Sequence, residues 1–180
     1  MGDRRGRFEA QVLVHLDAAY RYARWLCGSP ADADDVVQEA VLRAFRGFDG
    51  LKGDPKAWLL TIVRNCQATA ARQRQRRGFV PLPEEHDVEE GSAMIAPVPG
   101  PEEIAIGQDE GRNLERLLRG LPDTHREVLV LREIEEMDYR QIAAVTNVPI
   151  GTVMSRLARA RAALKAQWAA GAAGGAHDVP

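Results

Sequence analysis

The segment MDYRQIAAVTNVPIGTVMSRLARARAALK, residues 137–165, decides how the rest of the chain is read. Asp138 with Gln141 three residues on is a capping-box start for a helix. Ile142, Ala143, Val148 and Val153 fall where that helix must pack on a second one, and the small Ala143 lets the two backbones approach. Asn147 stands at the corner, where a left-handed conformation is needed and Asn tolerates it better than most residues. Pro149 then suits the first turn of the next helix. In that helix Val153, Leu157, Ala160 and Leu164 recur at i, i+4, i+7 and i+11 and define a buried stripe. The outer face carries Thr152, Ser155, Arg156 and Arg159, with Arg161 and Lys165 toward one flank. Between Tyr139 and Lys165 there are five basic side chains and no acidic one, the imbalance expected of a surface that approaches phosphates. A short helix, a tight turn and a longer helix form the pattern that presents one helix to the major groove of DNA. The plainer reading of the same residues is a solvated basic helix in an ordinary bundle.

Working outward, 180 residues with 45% hydrophobic content suit a soluble chain of two small helical domains. The net charge of −2 is uninformative, but its distribution is not. Residues 1–78 hold 14 basic and 9 acidic side chains, residues 79–111 hold none and 9, and residues 112–180 hold 10 and 8. Two basic blocks are thus separated by an acidic one. Cys27 and Cys66 are too few and too far apart for a disulfide framework or a zinc site, and both fall on apolar helical stripes as buried free thiols. The four His are scattered singly. With no apolar run of membrane length and no signal peptide, the expected location is cytoplasmic.

From Phe8 to Cys27, Val12, Leu16, Ala19, Ala23 and Leu26 repeat at helical spacing, with Leu13, Tyr20 and Cys27 widening the stripe, so one amphipathic helix of about five turns is expected. Gly28 ends it, and Ser29-Pro30-Ala31-Asp32 starts the next with a capping box and a proline in the first turn. That second helix, DADDVVQEAVLRAFRGF, buries Val37, Val41, Ala44 and Phe48, helped by Val36, Ala40 and Phe45. Its other side carries Asp35, Gln38, Glu39, Leu42 and Arg46. An exposed leucine among acids and an amide hints at a surface for a partner helix, although a single exposed apolar residue is as common without one.

The loop GFDGLKGDP leads, through Asp54 as a cap and Pro55 at the first helical position, into KAWLLTIVRNCQATAARQRQRR. There Trp58, Leu59, Ile62, Val63, Cys66 and Ala70 are expected to point inward. Thr61, Asn65, Ala68 and Arg72 share the opposite side with Arg64 adjoining. Five arginines and no acid lie between Arg64 and Arg77. A helix apolar on one side and basic on the other suits contacts to a nucleic-acid backbone and exposed bases; a basic helix lying on a membrane or RNA is the competing use.

Residues 79–111 contain five of the ten prolines and nine acids without helical period, and are expected to be a flexible linker. Fully stretched it reaches about 109 Å; as a coil it averages about 32 Å. A helix is expected from Ile104 to Arg119, burying Leu114, Leu117 and Leu118. Leu121-Pro122 ends it, Thr124 with Glu127 caps a helix bearing Val128, Leu129, Leu131 and Ile134, and that helix leads directly into Asp138. The tail from residue 169 to 180 has nothing to bury and is expected to be disordered.

With both blocks laid out, the chain resembles bacterial RNA polymerase sigma factors of the sigma-70 family, extracytoplasmic function (ECF) group. The similar strings are GSPADADDVVQEAVLRAF, KAWLLTIVRNCQATAARQRQRR, LRGLPDTHREVLVLREIEEMDYRQIA and VPIGTVMSRLARARAAL, in that order, over about residues 8–168. The resemblance implies an all-α protein: a sigma-2 helical bundle at 8–78, an acidic Pro-rich linker at 79–107 and a sigma-4 helix-turn-helix domain at 108–168. It implies that Asp35, Gln38, Glu39, Leu42 and Arg46 dock on the core RNA polymerase. It assigns Trp58, Thr61, Arg64, Asn65 and Arg72, with the loop from Asp49 to Lys56, to the opened −10 promoter element. Thr152, Ser155, Arg156 and Arg159 would read the −35 element as duplex, with Arg161 on phosphate. An anti-sigma factor is implied as a partner, and no cofactor or metal. The linker would thread the polymerase toward its active-site cleft and RNA exit path.

Two positions depart from the family pattern. Met154 stands where many relatives have Lys or Arg, and Thr69 stands where an Asp commonly follows Asn65 on the −10 helix. Two other functions fit parts of the chain: a stand-alone helix-turn-helix regulator, which leaves the basic helix at 58–77 without a task, and a sigma-like decoy that only binds an anti-sigma factor, which would not need Asn65, Arg156 and Arg159. An enzyme is not expected, since there is no nucleophile motif and the GLKGDP turn lacks the ending of a P-loop.

Overall fold

A computed structural model of the chain describes residues 2–76 and 113–174. The described residues are helical, with no strand among them. The first half holds α1 (Gly2–Gln11), a 3-10 turn (Leu13–His15), α2 (Leu16–Leu26), α3 (Pro30–Gly47) and α4 (Pro55–Arg76). The second holds a helix that includes residues 113–119 (α5), then α6 (Asp123–Leu129), a π-helical turn (Val130–Ile134), α7 (Tyr139–Thr146) and α8 (Ile150–Gly174). The expected linker at 79–107 lies outside the described residues, as does the expected start of the helix at Ile104.

The sequence expectation of one helix from Phe8 to Cys27 is corrected: the chain breaks at Val12–His15 and restarts as α2. The break shifts the helical phase. Phe8, Val12, Ala19, Ala23 and Cys27 are buried, but Leu16 and Tyr20 turn outward and Tyr22 takes the interior place. In α3 one of the two bonds of the expected capping box forms, the Ser29 hydroxyl accepting from the Asp32 amide at 3.2 Å, with Pro30 in the first turn as read. Ala33, Val36, Val37, Ala40, Ala44 and Phe48 form its buried face. Phe45 stays partly exposed, with Arg4 of α1 stacked 4.8 Å from its ring centre. Arg4 also donates to the Asp49 carboxylate at 3.0 Å and to the Phe45 carbonyl at 2.7 Å, so α1 is tied to the end of α3. In α4 the Asp54 carboxylate accepts from the Ala57 amide at 2.6 Å and caps the start. Ala57, Leu59, Leu60, Val63 and Cys66 are buried, while Trp58 is only half-buried.

In the second half the helix-turn-helix reading holds at each joint. Asp138 and Gln141 exchange both capping-box hydrogen bonds at 2.8 Å, and Asn147 ends α7 in the left-handed conformation at φ 54°, ψ 47°. Ile142, Val145, Val153, Leu157 and Ala160 are buried between α7 and α8. Three expectations fail here. Thr124 and Glu127 do not form a capping box: α6 begins at Asp123 with Pro122 before it and no side-chain cap. Glu127 is instead 7% exposed and turned into the interior. Nor does the helix run into Asp138, because the π-turn follows and Glu136 adopts φ 55°. The wider turn lets Val128, Leu129, Val130 and Leu131, four residues in succession, all be buried. Finally, α8 continues to Gly174 instead of ending near Trp168; alanine's helix propensity carries an alanine-rich end beyond the packed region.

The buried side chains of the two halves form one continuous core. Helix α4 packs on α3 and α2 on one side and on α7 of the second half on the other, while α6 packs chiefly on α8.

The left-handed corner sets a measurable cost. Asn147→Val should destabilise the folded state by about 1–2 kcal/mol in urea unfolding, whereas Asn147→Gly should be nearly neutral.

Candidate nucleic-acid interfaces

On α3, Asp35, Gln38, Leu42 and Arg46 are exposed together, Leu42 at 51%. Glu39 on the same side is half-buried and holds Arg43 at 2.6 Å. The apolar centre of this stripe, rimmed by acid, amide and base, is suited to a helix of a partner.

On α8, Ser155 and Arg159 are exposed and Thr152 and Arg156 half-exposed. The Ser155 hydroxyl donates back to the Thr152 carbonyl at 3.0 Å. Among the described residues no carboxylate pairs with Arg156 or Arg159, so both guanidinium forks remain open to acceptors outside the protein. Arg161 is different: it donates to Glu133 of the π-turn at 2.7 Å, and that hydrogen bond raises its pKa. Met154 is 54% exposed beside them and can offer a methyl contact in place of a charge.

The α4 side is less open than its sequence suggests. Asn65 and Arg72 are exposed, and the Thr61 hydroxyl donates to the Ala57 carbonyl at 2.8 Å. Thr69 likewise turns onto its own helix, donating to the Asn65 carbonyl at 2.9 Å. Trp58 packs toward Gly47, where an added Cβ would meet its ring at 3.8 Å. Arg64, Ala68 and Arg72 do come together, along one wall of a cleft of about 300 Å³. The opposite wall belongs to the second half, from Asp123 to Glu127.

Across that cleft Arg64 Nε donates to Glu127 Oε1 at 2.7 Å, and the buried Tyr22 hydroxyl donates to the same oxygen at 2.8 Å. Burial opposes the Arg64 charge, yet the hydrogen bond and attraction to Glu127 outweigh it and its pKa is raised. A second carboxylate does the same nearby. Glu135, 2% exposed, accepts from Arg21 at 3.0 and 3.1 Å and from Lys56 Nζ at 3.0 Å. Lys56 also donates to the Glu135 carbonyl at 2.7 Å. Arg119 lies 5.7 Å from the ring centre of Trp25, adding a cation–π contact between the halves. Tyr22, Arg21, Glu127 and Glu135 carry no local sequence signal, since each partner lies 63 to 114 residues away.

Described residues that form helices without strands, with a helix-turn-helix in one half and a long basic helix in the other, have the build of a two-module DNA-binding factor. Comparison with known proteins makes this specific. The Sigma-70 region 2 model matches residues 12–77 and the Sigma-70 region 4 model matches residues 111–164. SigW of Bacillus subtilis (strain 168), an ECF RNA polymerase sigma factor, is 30% identical over 162 residues, covering 87% of this chain and 86% of SigW. SigE of Mycolicibacterium smegmatis, also an ECF sigma factor, is 36% identical over 155 residues, covering 86% of this chain but 58% of that longer protein. The sigma factor RpoE, solved in complex with the anti-sigma factor NepR from Bartonella quintana, superposes with a TM-score of 0.68 at 27% identity, over 88% of this chain and 94% of RpoE. The chain belongs to the ECF group of RNA polymerase sigma factors.

Burial also fixes a pH dependence. Tyr22 has its pKa raised well above 10.0 by burial first and by the Glu127 charge and hydrogen bond next, and burial pushes Cys27 up from 9.0 to about 11. Both groups are neutral in the folded state and ionise more readily when unfolded, so their stabilisation is complete below their unfolded pKa values and is lost as pH rises. Stability should therefore fall above about pH 9. Cys27→Ala should flatten the decline between pH 9 and 11, and Tyr22→Phe the part above pH 10, in thermal melts across pH.

Proposed function

We propose that this chain binds core RNA polymerase and directs promoter-specific initiation, its first module gripping the melted −10 strand and its second reading the −35 duplex. The observation that carries the reading is the pair of region matches, 2 then 4, on two helical modules that each present arginines on an outward or cleft-lining face. Arg156 and Arg159, with their guanidinium groups uncommitted, are suited to bidentate contacts with guanine edges in the major groove. Arg161, already shared with Glu133, is suited to a phosphate. Asn65 and Arg72, with Trp58, Thr61 and Arg64 on the same helix, are suited to unstacked bases and their backbone. The Asp35, Gln38, Glu39, Leu42 and Arg46 face is assigned to the polymerase. RpoE has a NepR partner; by analogy this chain takes an anti-sigma factor. The chain supplies recognition and strand separation, and phosphodiester chemistry belongs to the polymerase.

Unstacking a base costs a few kcal/mol, which a preformed surface of arginines and one aromatic must offset. Run-off transcription with bacterial core enzyme, on promoters recovered by selecting DNA bound to the reconstituted holoenzyme, tests the reading; transcripts that start equally well without the chain would refute it.

Within that assay Arg156→Ala should cost roughly 1–3 kcal/mol of discrimination at one position of the −35 element, about 5- to 160-fold. Arg161→Ala should weaken binding evenly across sequences and lower the salt dependence by about one phosphate contact.

A further inference from the structure

The surface given to the −10 strand is not free in this arrangement. Arg64 is held by Glu127 at 2.7 Å, and Lys56, at the end of the loop that precedes α4, is held by Glu135 at 3.0 Å. Both acids belong to the second module and are nearly buried, at 7% and 2% exposure. Helix α7 of the second module lies against α4 itself, and the described residues leave no buried polar side-chain atom without a partner. By contrast Arg156 and Arg159 on α8 are not covered. The closed form therefore engages Arg64 and Lys56 of one DNA-facing surface, with Asn65 and Arg72 still exposed, and leaves the other surface open.

We infer that Glu127 and Glu135 form an autoinhibitory latch, in which the second module occupies the strand-gripping side of the first until polymerase separates them. The inference rests on the assignment of Arg64 to single-stranded DNA made above. Geometry requires the separation. Elements named −10 and −35 lie about 25 base pairs apart, about 85 Å at 3.4 Å per base pair, whereas here the modules share one core. The linker's stretched reach of about 109 Å allows the open state. The latch is also self-consistent electrostatically. Each carboxylate is buried only because cations of the other module meet it, Arg64 for Glu127 and Arg21 with Lys56 for Glu135, so opening returns five charged groups and Tyr22 to water at once. A contact of that kind switches between shut and open instead of loosening by degrees.

The test is Glu127→Gln with Glu135→Gln in the full chain, neither residue being assigned to DNA or polymerase. Small-angle scattering should show the radius of gyration of the free protein rising by on the order of 5 Å as the modules part. Affinity of the free protein for a single-stranded −10 oligonucleotide should rise about tenfold or more, because a fractionally populated competent state weakens apparent binding in proportion. Unchanged radius and affinity, with far-UV circular dichroism still helical, would overturn the latch. A larger radius without tighter binding would separate the two ideas: the contact holds the modules together, but Arg64 does not grip DNA and the contact inhibits nothing. Should the double variant fail to fold, spin labels at Asp34→Cys and Ala162→Cys, both exposed positions, measure the closed state in a chain that keeps both carboxylates. One narrow distance in the free protein that lengthens with core enzyme supports the latch; a broad distribution before polymerase is added overturns it.

Discussion

Two glutamates cannot lie buried without cations to meet them, and in this chain the cations come from the other end of the sequence. A lone carboxylate in an apolar interior is so costly that it protonates or pulls the structure open. Glu127 and Glu135 are instead met by Arg64, Tyr22, Arg21 and Lys56. The relation of the modules follows from this constraint. Leu60 and Leu131 can be fully buried in a shared core only because the polar groups between the halves are satisfied. Removing one partner of such a pair is expected to cost about 3–5 kcal/mol, far more than a surface ion pair such as Arg5 with Glu9, where both side chains are largely in water.

The same arginine chemistry thus serves opposite ends in different parts of the molecule. On α8 the guanidinium groups of Arg156 and Arg159 are uncommitted, which suits them to an external acceptor. On α4 the corresponding group is committed internally, and an external acceptor must compete with a carboxylate already at 2.7 Å. Under the proposed latch, a phosphate or base gains access only when polymerase or another partner supplies enough interaction to separate the modules.

The helix-turn-helix was legible because each of its signals is local. Asp138 and Gln141 are three residues apart, Asn147 acts on its own φ, and the stripe from Val153 to Ala160 depends on helical period alone. The stripe on α3 was legible for the same reason. What failed depended on distance. The spacing of Thr124 and Glu127 predicts a capping box, and nothing within a few residues reveals that Tyr22 and Arg64 claim the Glu127 carboxylate. The run from Phe8 to Cys27 has helical period throughout, and only packing against α3 and α4 decides that it breaks and that Tyr22, instead of Tyr20, turns inward. The π-turn escaped for a related reason: four successive apolar residues look like a helix of ambiguous face until neighbours are present on every side. Helical period puts Arg64 beside the stripe of Thr61, Asn65, Ala68 and Arg72 and is silent about what else that stripe touches.

The double commitment of Arg64 has a genetic corollary. With Arg64 on the promoter strand as proposed, replacing it would remove one contact to that strand and, at the same time, loosen the grip of the second module, so a loss and a gain would be produced by one substitution. Screens that score only transcript output would then see these opposing effects partly cancel, and a position central to both states could pass for a tolerant one.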